Sequence, residues 1–342
     1  FHRRVLQPMS TAATSWRIGV RRIFVSSPVV GPLATLIVVF ILFSVAAPNF
    51  LSLRTVSGII NAATLTGVVT IGVTLLMISG EFDLSVGSLI AIGGYLFGQQ
   101  AAKGTPLPGL LLALLIPALL GALNGLILIS TRIPSFIVTL GTRSIFRGAA
   151  WILSGSALLQ LTEELPIYEV LNGRLEAINQ LFEGANFRTS LLWLLGLLLL
   201  VQYLLVRTRY GNHIFAAGGN QAAAASQGVN VTRVKLTSFI ITGALSGFSG
   251  VLLFSQFKTV RVATGAGTEL SAIAAAVVGG ALLRGGSGSI WGALVGVLLI
   301  STLRTGVILL DIPFIPADNF EAVVGVAIIG AVILNDWLRK RA

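Results

Sequence analysis

Cysteine is absent from this chain, and charge is scarce. Of 342 residues, only 10% are Asp, Glu, Lys or Arg, against 55% hydrophobic. The missing thiols exclude disulfides, thiol catalysis and thiolate metal sites, and leave redox compartment open. Two histidines, His2 and His213, are far apart in sequence and make a poor metal pair. No nucleophile–base or metal constellation stands out, so the residues argue against an enzyme. No Gly-Lys dipeptide occurs, so there is no GxxxxGK[ST] loop to cradle phosphates. Soluble domains carry about 25% charged residues. The shortage of charge, with a mean hydropathy of +0.92, therefore marks an integral membrane protein.

What charge there is has a sign. The formal net charge is +11. In a soluble chain that would raise nucleic acid as a partner; in a membrane chain the positive-inside rule is the simpler cause. The apolar runs are continuous rather than alternating, so helices and not barrel strands cross the lipid. At roughly 20 residues per span, about ten helices fit. Residues 1–27 carry Arg3, Arg4, Arg17, Arg21 and Arg22, with Trp16, Val20, Ile23 and Phe24 on one helical face. An interfacial amphipathic helix and a basic disordered tail both fit them. Spans follow at 29–47, 59–79, 84–102, 110–130, 134–154, 190–206, 236–257, 270–283, 290–310 and 320–338. That count puts both termini in the cytoplasm. Residues 155–189, with five glutamates, form an external cap containing a short helix, and 207–235 form the largest cytoplasmic loop.

The stretch from Gly80 to Gly94, GEFDLSVGSLIAIGG, organises the rest. It places Glu81 and Asp83 between two uncharged runs. An ionisable group within a membrane segment costs several kcal/mol, about 2.5–3.5 on insertion scales, and usually faces an interior or a pathway. Asp83, followed by Ser85, also has the form of a helix cap. The expectation is a break, with a new helix from about Leu84. Asp83 and Ser85 are thus gating candidates and cap candidates at once, near a pseudo-symmetric centre. Glu81 is placed to pair with Arg143 or Arg147, or else to stay protonated through desolvation. Asn124, Thr139 and Thr142 offer amide and hydroxyl groups to a solute, or serve only as polar glue between helices.

Two matches point to an internal duplication. Asp83-Leu84-Ser85 with Gly93-Gly94 is repeated as Glu269-Leu270-Ser271 with Gly279-Gly280 at the same spacing. GALNGLILIST at 121–131 is repeated as GALVGVLLIST at 292–302. With ten spans the copies, in halves 56–155 and 236–338, run in opposite directions, an inverted-repeat transporter plan. The paired glycines 93, 94, 279 and 280 are expected at close helix contacts. In the loop 207–235, Gly211, Gly218 and Gly219 are expected to break the chain. Asn220 would then cap a short helix that runs through Ser226 and stops at Gly228. A docking element and an ordinary connector fit that pattern equally.

Four motifs in order carry a family resemblance. GEFDLSVGS is similar to the GGIDLSVGS signature of ribose-type sugar permeases of ATP-binding-cassette importers. TLGTRSIFRG at 139–148, the loop at 209–235, and ELSAIAAAVVGGALLRGGSGSIWGALVG at 269–296 resemble that family's later motifs. The likeness runs from about Phe50 to the C-terminus; Glu81-Phe82 departs from it, where the family more often has Gly-Ile. The resemblance implies a multi-pass inner-membrane pore made with a second permease copy, cytoplasmic ATPase subunits docked on residues 211–228, and an external binding protein that delivers a monosaccharide. It implies no cofactor in this chain; ATP and Mg belong to the partner. An ion-coupled secondary transporter, with Glu81 and Asp83 as protonation sites, is the competing class. A permease for branched-chain amino acids or nucleosides is the nearer alternative, away from which the DLSVGS form leans.

Overall fold

The computed structural model describes residues 29–155 and 158–311, with five further positions between 322 and 330. The basic segment 1–27 and most of the expected span 320–338 lie outside the described residues. The fold is a helical bundle. In chain order it runs α1 (Val30–Ala46), α2 (Leu53–Ile78), α3 (Val86–Ala101), α4 (Pro106–Thr131), α5 (Ser135–Ser154), β1 (Leu159–Gln160), α6 (Pro166–Asn172), α7 (Glu176–Asn179), α8 (Ser190–Arg207), α9 (Arg209–Gly219), α10 (Gln221–Ser226), α11 (Val231–Phe257), β2 (Thr259–Val260), α12 (Thr268–Val278) and α13 (Ile290–Leu310). Among the described residues six helices are long and apolar enough to cross a membrane: α2, α4, α5, α8, α11 and α13. Helices α1 and α12 are shorter apolar elements, and α3 has 16 residues.

The helix ends follow local chemistry. Ser52 accepts from Thr55 N–H to start α2, Asn230 from Arg233 N–H to start α11, and Ser289 from Gly292 N–H to start α13. Arg132 and Lys258 close α4 and α11 in the left-handed region. The second helix of the break begins at Val86, two residues later than Leu84. Asp83 precedes it in a turn, its Oδ1 accepting from Ser85 N–H (2.7 Å) and Ser85 Oγ (2.6 Å).

Helix α11 is the central post, packed against α2, α3 and α4. Gly243 and Gly247, one turn apart, let backbones approach. A Cβ on Gly247 would lie 2.7 Å from Pro117 Cγ of α4, and one on Gly93 of α3 would lie 2.7 Å from Gly247 Cα. Gly279 meets Ala293 N of α13 at 2.7 Å in the same sense. Gly280, expected as a packing glycine, is a turn residue with φ 94°.

One end of the bundle is capped by residues 158–189. Besides α6 and α7, this segment holds β1, which the apolar pattern did not foretell and which pairs antiparallel with β2 beyond α11. Asn172 Nδ2 donates to Leu252 O (2.9 Å), Trp193 Nε1 to Val170 O (3.0 Å), and Tyr168 stacks edge-on against Phe97. Burial, then the charges of Glu164 and Glu163, push the Tyr168 phenol above its usual range. The other end carries α9 and α10.

Candidate functional site

The break between α2 and α3 sits at the α9–α10 end of the bundle. Helix α2 ends in a Schellman motif, with Glu81 N–H donating to Leu76 O, Gly80 N–H to Met77 O, and Gly80 at φ 90°. Helix α12 ends the same way, through Ala281 N–H to Ala276 O and Gly280 N–H to Val277 O. Phe82 N–H donates to Ser135 Oγ of α5 (3.1 Å), which fixes the chain beyond the turn.

Glu81 pairs with Lys235 of α11 at 2.5 Å, and both are buried. The expected partners do otherwise. Arg143 forms an ion pair with buried Glu269 at 2.7 Å, and Arg147 donates to the carbonyls of Val262 and Thr264. Attraction in a low dielectric is strong wherever opposite charges meet, and the fold decides which meet.

Asp83, Ser85 and Asn124 form a second buried group. Asn124 Nδ2 donates to Ser85 Oγ (2.9 Å) and to Asp83 Oδ2 (3.4 Å). All three are fully buried. Replacing Asn124 by leucine removes donors from a buried carboxylate and is expected to cost about 1–3 kcal/mol. Thermal unfolding in lipid nanodiscs measures it, and an unchanged midpoint would show that the amide does not support Asp83. Thr139 and Thr142 are buried too, but their hydroxyls donate within their own helix, to Ser135 O (2.8 Å) and Thr139 O (3.4 Å).

The loop 207–235 is two helices and the first turn of α11. Gly211 does not break the chain; its N–H caps α9 by donating to Thr208 Oγ1 (3.1 Å). Gly218 and Gly219 remain helical as well. Their role is contact. Gly80, Gly218, Gly219, Gly285 and Gly286 converge backbone to backbone. A Cβ on Gly218 would lie 2.6 Å from Gly286 N, and one on Gly285 would lie 2.6 Å from Gly80 Cα. Gly286 N–H donates to Ile78 O (2.8 Å). Asn220 does cap α10, accepting from Ala223 N–H (3.0 Å), and Gly228 follows at φ 82°.

A cavity of about 480 Å³ opens between α2, α11, α12 and α13. Asn61, Thr66, Asn186, Ser249, Gln256 and Ser301 give it neutral amides and hydroxyls, Leu253 and Phe257 an apolar wall, and Arg304 one cation. None of Glu81, Asp83, Ser85, Asn124, Thr139 or Thr142 lines it. The sequence reading missed these residues, although a lone Asn61 within an apolar run was a usable signal. Beyond it, toward the capped end, lies a basin of about 790 Å³ bordered by Arg54, Arg174 and Arg188. Burial, and after it the Arg174 charge, lowers the Arg188 guanidinium from its usual range. Among the described residues no cluster of three or more His, Asp or Glu could hold a metal.

This bundle, with its polar cavity and its backbone-locked helix pair at one end, has the form of a transport subunit. Residues 55–332 match the family described as the permease component of branched-chain amino acid transport systems, and the chain belongs to that family. It is a multi-pass inner-membrane permease. It is 33% identical over 296 residues to the autoinducer 2 import system permease protein of Enterobacter sp. strain 638, covering 86% of this chain and 82% of that one. It is 29% identical over 304 residues to the ribose import permease protein of Haemophilus influenzae, covering 88% and 90%. It is 32% identical over 286 residues to the L-arabinose ABC transporter permease protein of Azospirillum brasilense, covering 83% and 81%. No solved structure matches the chain.

Proposed function

We infer that this chain is the membrane-spanning subunit of an ATP-binding-cassette importer for a monosaccharide or related polyol. Family membership, with relatives named for ribose, arabinose and autoinducer 2, carries the reading. The cavity agrees with it in chemistry, since neutral amides and hydroxyls suit a polyhydroxylated solute and weak binding suffices for passage. The ion-coupled alternative loses its best residue, because Glu81 is already paired with Lys235.

The proposed assembly holds two permease copies, alike or different, two cytoplasmic ATPase subunits and an external binding protein. Ten spans with both termini cytoplasmic complete the topology. The halves 56–155 and 236–338 are an inverted repeat. The close contacts of Gly93 and Gly279, counterparts in the two copies, support it. Residues 207–235 are the ATPase-coupling element. In α10, Ala222 and Ala225 are exposed while Ala224 is buried, so a small-residue face is left open. ATP-driven movement of α9 and α10 would pass through the glycine junction to the break at Gly80–Ser85.

The test is copurification from the native membrane. An ATPase and a sugar-binding protein are expected with the tagged wild-type chain. Ala222→Glu with Ala225→Glu is expected to cut ATPase recovery about tenfold or more, the loss of one good contact. Full ATPase recovery by the double variant would remove α10 from the interface.

A further inference from the structure

The stretch closing the external cap has a specific place: it forms the wall between the two cavities. Gly58 and Asn186 line both the outer basin and the inner cavity. Two hydrogen bonds hold the wall shut. Asn61 Nδ2 donates to the Asn186 carbonyl (2.6 Å), and Asn186 N–H donates to Ser57 Oγ (3.0 Å). Each asparagine has an amide oxygen left over. Asn61 Oδ1 and Asn186 Oδ1 are buried without a hydrogen-bond partner. Asn61 itself is only 7% exposed.

Buried acceptors without donors are costly and uncommon, and they persist where something uses them. What these two need is a donor that can reach the wall from either cavity. A hydroxyl-rich solute brings several donors and no charge. A carboxylate brings only acceptors. A cationic solute would first have to cross a basin bordered by three arginines, Arg54, Arg174 and Arg188, against one carboxylate, Glu183.

Granted the importer reading above, we propose that Asn61 and Asn186 are the specificity-determining pair of the outer gate. Their amide oxygens take hydroxyl hydrogens from the polyhydroxylated solute as it passes from basin to cavity. Neither oxygen takes part in the two bonds that close the wall, so both are free to accept from a solute at the gate.

The natural absence of cysteine allows a single reporter thiol. Ala62→Cys places it in the inner cavity beside Asn61, and Lys103→Cys serves as an exposed control away from both cavities. Intact cells expressing the complete importer are reacted with an impermeant thiol reagent, with D-ribose, L-arabinose or a fully O-methylated riboside as probes. One of the two sugars is expected to slow labelling of Ala62→Cys and leave Lys103→Cys unchanged. The methylated compound, which has no hydroxyl donors, is expected to give no protection. Asn61→Leu or Asn186→Leu in the Ala62→Cys background should weaken sugar protection about three- to tenfold, the range for one lost hydrogen bond. Asn61→Leu should also speed labelling without sugar, because the wall loses its Asn61 Nδ2 tie, whereas Asn186 makes both its wall bonds through its backbone.

Equal protection by the methylated riboside overturns the proposal without any further variant. So does undiminished protection in both leucine variants, or a sugar that is taken up by the same cells yet never protects. If neither a pentose nor a hexose is taken up by the intact importer, the sugar reading itself fails.

Discussion

Replacing Gly218 by alanine is expected to reduce transport about tenfold or more, while the same change at Gly219 leaves it near wild type. The two glycines are adjacent in one helix with the same intrinsic propensity, so any difference comes from what a methyl group meets. At Gly218 it meets backbone on two sides, the carbonyl of Ile78 and Gly286 N at 2.6 Å. Backbone has no rotamer to turn away. Either α9 backs off α2, or Gly286 gives up its bond to Ile78 O. Overpacking of this kind costs about 1–3 kcal/mol, and each 1.36 kcal/mol is about tenfold in a rate it controls. At Gly219 the nearest atom outside its own surroundings is Gly286 Cα at 3.9 Å, an ordinary contact. That change should stay within about 0.5 kcal/mol. Initial uptake rates, normalised to membrane-inserted protein, measure both. A Gly218→Ala variant that transports at the wild-type rate would mean that the junction transmits nothing.

The second large effect belongs to Glu81 and Lys235. A buried ion pair adds little relative to well-packed apolar residues, but breaking it strands a charge at about 3–5 kcal/mol. Glu81→Leu or Lys235→Leu alone should therefore lower thermal stability in lipid severely. The double replacement should recover most of the loss. The pair joins the break to the start of α11, so the single variants should also uncouple ATP hydrolysis from uptake. Additive losses in the double variant would show that the two side chains act independently and that their 2.5 Å approach contributes no coupling.

Much of this arrangement was legible in the residues. Continuous apolar runs located the long helices, although α2 starts six residues and α11 five residues before the expected spans. Asp83 and Ser85 marked the break because a carboxylate in such a run needs nearby donors, and Asn220 and Gly228 marked α10 because cap and stop chemistry is local. Partners across the fold were not legible. Glu81 could not choose Lys235 over Arg143 from sequence, since the choice depends on which helices become neighbours. The glycines at 218 and 219 looked like chain breaks because the sequence shows their freedom and hides what approaches them. The cavity was missed for a related reason. Asn61, Gln256 and Ser301 are neutral, scattered over three helices and brought together only by packing. The two-residue strands β1 and β2 are too short to leave a periodic signal.

We propose that the permease is a passive gate moved by a partner that hydrolyses ATP. Vesicles containing purified permease alone, and vesicles containing the permease with its copurified ATPase and binding protein, should be compared for solute accumulation with ATP on the cytoplasmic side. Accumulation above the external concentration is expected only in the second set, and only with ATP. Uphill uptake by the permease alone, driven by an imposed ion gradient, would contradict it.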